Sequence, residues 1–359
     1  MNMTLKEILM TARHYDASDI HLIAGLPPAW RVNGDIILGE AEPLSGDDLQ
    51  QLVDKAINDE QRKVLKNELA LCFSLTDGEL GRFRVSVYHR NGSPELAIRA
   101  CSTTMRTRKD LGLPEAIDKL LERPSGLILV TGATGSGKTT TLNYMIDQIN
   151  SRRCGKIITI EDPIEYVHSH KQSIIIQQEL FTDVLSFESG LHHILRQDPN
   201  VICVGEMRNH DTIETTLTAA ETGHLVLATL HTSSAINTLE RIVGVFPPSQ
   251  QTQVVLQLAN TLLGVISQQL LPTVGNRGRV LAYELLLVDA PERNIIRENA
   301  PHKLVTQLEM GSRRGMCTMD NTLQDLHERG IISYDTLLSH AANPDAIRAK
   351  YTRSASSPH

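Results

Sequence analysis

The sequence lacks the pairs of nearby cysteines that a zinc unit needs. Its five cysteines, Cys72, Cys101, Cys154, Cys203 and Cys317, are widely spaced, so no C-x-x-C module can form. Cys203 falls inside an apolar run, the usual place for a buried reduced thiol, and the pattern implies a cytoplasmic chain without a disulfide framework. Positive charge is also short. The net charge of −7 gives no general attraction to nucleic acid or anionic lipid. The N-terminus carries Lys6 and Glu7 and no long apolar core, which excludes a secretion signal. His168, His170, His192 and His193 show no metal spacing and read as surface residues. No internal repeat is present.

From Ile242 to Asn276 there is no charged residue at all. A membrane span is excluded, because Gln250, Gln251, Gln253, Gln257, Asn260, Gln268 and Gln269 are costly in lipid, and prolines stand at 247, 248 and 272. Val254, Leu258, Leu262 and Val265 fall at helical spacing, which predicts a buried helix or a subunit interface.

A chain of 359 residues exceeds what one core usually serves, so two domains are expected. Residues 1–104 read as a small α+β domain. Helices are expected near 4–13, 46–57 and 59–68, and turns at Leu26–Pro28 and Asn33-Gly34. In Arg82–Tyr88, Phe83, Val85 and Val87 share one face of a strand, and Arg82, Arg84 and Ser86 the other. The polar, basic stretch up to 115 reads as a linker (105–115), with Arg106, Arg108 and Lys109 in a solvated loop. Residues 116–350 alternate strand and helix, the pattern of an α/β domain with a mostly parallel sheet. Strands are expected at 126–131, 156–161, 173–177, 201–205, 225–230 and 279–287, and a helix over 210–222 ending at Gly223. Helices beyond 291 should form a terminal bundle, with a disordered tail at 351–359.

The most specific motif is Gly132-Ala133-Thr134-Gly135-Ser136-Gly137-Lys138-Thr139, a complete G-x-x-x-x-G-K-[ST] phosphate loop followed by Thr140. An apolar run precedes it. Leu142, Met145, Ile146 and Ile149 follow at helical spacing. The glycines let successive N–H groups face one point, and the helix N-terminus adds positive potential there. Lys138 should reach the β- and γ-phosphates of ATP, and Thr139 should offer its hydroxyl to Mg²⁺.

Three other strand ends carry the residues that phosphate chemistry needs. One gives Glu161, Asp162 and Glu165, any of which could serve as general base. A second gives Gly205-Glu206, with Glu206 set to hold Mg²⁺ through water, to polarise the attacking water, or both. A third places His224 and His231 at the two ends of 225–230, with His231 suited to hydrogen-bond a γ-phosphate. Further positive charge could come from Arg82, Arg84 or Arg99 in the first domain, or from Arg196, Arg208 or Arg241 in the second. If Arg82 or Arg84 acts, the domains must close or a neighbouring subunit must supply the residue.

Gly132–Thr139, Ile158–Tyr166, Val204–Arg208 and Thr218–Thr232 together resemble the four nucleotide motifs of the secretion ATPase superfamily: Walker A, Asp box, atypical Walker B and His box. Ala17–Leu22 and Gly81–Val85 match as well. Within the superfamily the chain is most similar to the PilT-type retraction ATPases of type IV pili. It is short, lacks the four-cysteine module of assembly-type relatives, and carries Pro291-Glu-Arg-Asn-Ile-Ile-Arg-Glu298. That octapeptide is close to the branch's AIRNLIRE motif, with Pro291 and Glu292 in place of Ala and Ile. The resemblance implies a RecA-like P-loop NTPase core with a smaller PAS-like α+β domain, and a cytoplasmic hexamer working against an inner-membrane platform protein without inserting into the membrane. It implies Glu206 and Glu165 in hydrolysis, His224 and His231 as sensors, and Arg82, Arg84 or Arg99 near the phosphates. Alternative readings are a pilus-assembly or type II/IV secretion ATPase, a nucleotide-binding regulator with little hydrolysis, and, with no acceptor lid to support it, a P-loop kinase.

Overall fold

The computed structural model describes residues 4–32, 35–101, 104–276 and 278–355. The chain divides into two compact units. The first holds residues up to Met105 together with Thr159–Ser169 and Ile175–Gly190, and the second holds Arg106–Ile158, His170–Ile174 and Leu191 onward. The first unit thus takes in two segments beyond the boundary expected at 104.

The first unit contains helices α1 (Leu5–His14), α2 (Gly46–Ala56) and α3 (Asp59–Glu68), and strands β1 (Asp19–Leu22), β2 (Ala29–Val32), β3 (Asp35–Leu38), β4 (Ala70–Asp77), β5 (Gly81–Arg90) and β6 (Ser93–Ala100). All three helices start with a capping box, from Thr4, Ser45 and Asn58, which satisfies donors that the first turn leaves free. The six strands form an antiparallel sheet in the order β3-β2-β1-β6-β5-β4. The alternation read in β5 is realised: Phe83, Val85 and Val87 are fully buried and pack with Ile20, Leu22, Leu96 and Ile98.

Then follow α4 (Arg108–Leu111), α5 (Ala116–Leu120), β7 (Gly126–Thr131), α6 (Lys138–Arg152), β8 (Lys156–Glu161), β9 (Ile174–Glu179), α7 (Phe187–Ile194), β10 (Val201–Val204), α8 (His210–Glu221), β11 (Leu225–Leu230), α9 (Ala235–Gly244), α10 (Pro248–Thr261), β12 (Leu262–Pro272), β13 (Arg279–Leu287), α11 (Ala290–Arg297), α12 (Leu304–Met310), α13 (Met319–Glu328), α14 (Tyr334–His340) and α15 (Pro344–Ala355). The second sheet has the order β13-β12-β7-β11-β10-β8-β9. β7 lies parallel to both β11 and β12, and β10 parallel to β11. β7 and β11 are buried along their whole length, as central parallel strands are. The strand after α6 does not pair with β7; β11 does. That crossover leaves a crevice at the carboxyl ends of β7 and β11.

Several expectations need correction. The helical reading of the uncharged run holds only to Thr261. Leu262 and Val265 stand in β12, which is paired on both sides by β7 and β13. Its first seven residues are all buried, so both faces are apolar and period no longer separates strand from helix. Arg108 is not in a solvated loop. Its side chain is 21% exposed and pairs with Glu115 at 3.1 Å and Asp118 at 3.5 Å, and Asp118 also accepts from the Tyr144 hydroxyl of α6 at 2.6 Å. His168 is buried and meets Tyr166 edge-on at 4.8 Å between ring centres. The expected tail is helical as far as Ala355. Residues 356–359 and the Asn33-Gly34 turn lie outside the described residues.

Candidate nucleotide site

The phosphate loop joins β7 to α6, and its backbone dictates its composition. Gly132 has φ +142°, and a Cβ there would collide with the Gln268 carbonyl oxygen and the Ser136 hydroxyl. Gly137, with φ +92°, is the N-cap of α6 and offers no side chain to cap it. The first N–H groups of α6 therefore face outward without a capping oxygen, the arrangement that suits a phosphate. The Ser136 hydroxyl is buried without a hydrogen-bond partner among the described residues. Lys138 is 9% exposed. Its ammonium donates to the carbonyl oxygens of Gly132 at 2.7 Å and Ala133 at 3.0 Å. Burial pushes its pKa down, opposed by Glu206, and among the described residues no carboxylate pairs with it directly. These features fit a phosphate group: a positive potential, a Cβ-free cradle and a buried orphan hydroxyl.

Two neighbouring strand ends complete the site. Glu206 follows β10 and His231 follows β11. His231 Nε2 lies 3.0 Å from Glu206 Oε1, and His231 Nδ1 lies 3.4 Å from the Lys138 ammonium. An ammonium only donates, so Nδ1 accepts and the ring proton sits on Nε2, facing Glu206. Glu206 also accepts from Arg208 at 2.7 Å. Burial pushes the Glu206 carboxyl up, but Arg208 and His231 together outweigh it and hold it below the usual range. Lys138, His231, Glu206 and Arg208 thus form one hydrogen-bonded chain at the carboxyl ends of three adjacent strands. Behind the loop, Gln268 of β12 donates to Thr141 of α6 at 2.8 Å, and Thr131 donates to Ser267 at 2.9 Å. These two polar supports were not legible beforehand, since Gln268 read only as one amide in an uncharged run.

His224 is elsewhere. It precedes β11, and its backbone carbonyl accepts from Gly126 N–H at the start of β7. Its ring contacts the Ala219 carbonyl at 2.9 Å and Thr222 at 3.2 Å. The six residues of β11 separate it from His231 by about 20 Å. Among the described residues its ring is not hydrogen-bonded to the loop, whereas His231 stands beside Lys138.

The remaining candidates belong to the first unit. Glu161, at the end of β8, is 7% exposed and accepts from Thr159 at 2.7 Å and Gln177 at 3.0 Å. Burial pushes its pKa up to about 7, against the two hydrogen bonds and Arg82. Glu165 pairs with Arg84 at 2.9 Å, with both side chains about a third exposed. Arg82 is spent differently. Its side chain, 14% exposed, pairs with the buried Glu179 and donates to Ser74, Thr76 and the Ile164 carbonyl. Glu179 in turn accepts from the Ser74 and Ile164 N–H groups. Arg82 is therefore a structural clamp here and not a free cation, whereas an exposed pair such as Arg84–Glu165 is worth only about 0–1 kcal/mol and can open readily. Arg99 is 68% exposed and pairs with Asp19 at 2.9 Å.

The sequence model of the family described as "Type II/IV secretion system protein" matches residues 73–334. The type IV pilus retraction ATPase PilT of Pseudomonas aeruginosa is 40% identical over 343 residues, covering 96% of this chain and 99% of PilT. The type IV pilus ATPase PilU of the same organism is 36% identical, covering 96% of this chain and 91% of PilU. The crystal structure of the pilus retraction motor PilT with bound ADP matches with a TM-score of 0.88 at 44% identity, over 97% of this chain and 99% of that one. The fold is accordingly the expected RecA-like P-loop core with a smaller N-terminal α+β domain. No described helix is long and apolar enough to cross a membrane. The chain belongs to the type II/IV secretion system protein family, within the group of PilT-type pilus ATPases.

Proposed function

We propose that this chain hydrolyses ATP to ADP and phosphate at the loop 132–139 and uses the cycle to power retraction of a type IV pilus. The observation that carries hydrolysis is the chain Lys138–His231–Glu206, a cation, a polar relay and an ionised carboxylate within hydrogen-bond reach of one another. Binding alone needs the loop and Lys138. A carboxylate held below its usual pKa and aligned by a histidine suits the orientation of an attacking water. Lys138 and the α6 N–H groups neutralise charge that grows on the phosphate oxygens. Thr139 and Glu206 are the oxygens that would hold Mg²⁺, which when bound supplies Lewis-acid stabilisation of the same charge.

Arg84 or Arg99 from the next subunit of a hexamer supplies the remaining positive charge. The motor then acts on an inner-membrane platform protein from the cytoplasmic side. Retraction in particular is supported by the relatives and by α11. Two of its three departures from AIRNLIRE fall in the first turn, where Pro291 is tolerated, and the third, Ile295 for Leu, stays apolar. Glu292 is buried there, closes a capping box with Asp289, and pairs with Arg314 at 2.6 Å. The rest of the motif, Arg293 to Glu298, keeps its residue types. Steady-state turnover by the purified protein, with Lys138→Ala as control, tests hydrolysis. We expect that variant to lose at least about 1,000-fold in kcat. Undiminished turnover would sink the assignment. A deletion strain should gain surface pili and lose twitching, and loss of pili would instead support an assembly ATPase.

A further inference from the structure

Glu284 is one of the buried ionisable groups that the phosphate chemistry leaves unused. Glu284 of β13 is 9% exposed and stands opposite Ser267 in the sheet, the residue that accepts from Thr131 just before the phosphate loop. Its carboxylate accepts from the Ala235 N–H at 2.8 Å and from the Met319 N–H. These are the first residues of α9 and α13, so one carboxylate closes two helix N-termini. Both helices have their own side-chain caps, Ser234 and Thr318, so neither needs Glu284 merely to start. Burial raises the Glu284 carboxyl, and the two backbone donors oppose it.

What the carboxylate joins is specific. Ala235 begins α9 just after His231, and the intervening turn is braced by a bond between the Thr232 and Thr238 hydroxyls at 2.6 Å. Movement of His231 is therefore carried to Ala235 with little slack. On the other side, Met319 belongs to the core cluster of the C-terminal helices, with Leu323, Leu326, Ile332, Leu337 and Ile347. We propose that Glu284 is a positioning residue that ties the His231 turn to α13, so that the state of the nucleotide reaches the C-terminal helices. This rests on the nucleotide site described above.

Hydrogen exchange with and without Mg²⁺ and a non-hydrolysable ATP analogue tests it. In the wild-type protein, protection should rise both at 132–139 and at 319–328. In Glu284→Met, which accepts from neither N–H group, protection at the loop should persist. The response of α13 should vanish, and kcat should fall about 10-fold with KM unchanged. Should that variant not fold, Met319→Pro removes the second donor at a helix position that tolerates proline, with Met319→Leu as the control for the lost core side chain, and should uncouple α13 in the same way. A wild-type α13 that ignores the nucleotide, or a response that survives in the variants, overturns the proposal. Lack of protection at the loop itself would instead refute the nucleotide reading.

Discussion

The two ends of β11 carry the same residue type and do different work. At the carboxyl end His231 bridges Lys138 and Glu206. At the amino end the His224 ring bonds to the end of α8 and its cap. The strand between them is uniformly buried and offers nothing to connect two polar sites. The difference shows that residue type alone does not bring a histidine to the phosphate loop. Position on a parallel sheet does, because β10, β11 and β7 deliver their following loops to the same edge. The first unit gives a parallel contrast. Arg82 and Arg84 sit two apart on β5, yet Arg82 is sealed against Glu179 while Arg84 faces an exposed partner.

These contrasts can be broken by substitution, and the largest effect should come at the carboxyl end. Glu206→Gln should lower kcat by about 100- to 10,000-fold with little change in nucleotide affinity, measured by steady-state turnover and fluorescent-nucleotide titration. Arg82→Ala should act on stability instead, by about 3–5 kcal/mol in denaturant unfolding, because Glu179 would be left buried and unpaired. Arg84→Ala should cost under about 1 kcal/mol in the same experiment. Equal losses from the two would erase the distinction between clamp and exposed pair.

Glu161 sharpens the contrast with Glu206. Its folded pKa of about 7 lies above the ordinary 4.5 because of burial. The protonated form is thus favoured by folding. Its contribution is fully present below about pH 4.5 and lost as pH rises through 7, to the extent of about 3 kcal/mol. Glu161→Gln should match the wild type in thermal melts at pH 5 and exceed it at pH 8. An unchanged difference between the two pH values would mean that the carboxyl is not held in this way. The smallest effect should come from the amino end of β11. His224→Ala should leave nucleotide affinity within about 2-fold, since the ring's hydrogen bonds among the described residues go to α8 and its cap.

Much of the site was legible because its residues lie on consecutive strand ends. Gly132–Thr139 carries its own context, and Glu206 and His231 each follow a short apolar run that reads as a strand. That they touch was not legible, because it depends on the strand order β7-β11-β10. The misreadings have physical causes. Leu262 and Val265 fit a helix because β12 is apolar on both faces. His224 looked equivalent to His231 because sequence does not say which end of a strand meets the ligand. Arg82 looked free because its partner Glu179 is far away in sequence. Glu284 had a signal that went unused, an acidic residue amid the apolar run of β13, where a lone charge requires a partner.

The central claim is that Glu206 and His231 act on the phosphate as one unit. A double-mutant cycle on kcat tests it most directly, using Glu206→Gln, His231→Ala and the pair. Residues that act together are strongly non-additive, so the double variant should turn over no more slowly than the slower single variant. Losses that simply multiply would contradict the account.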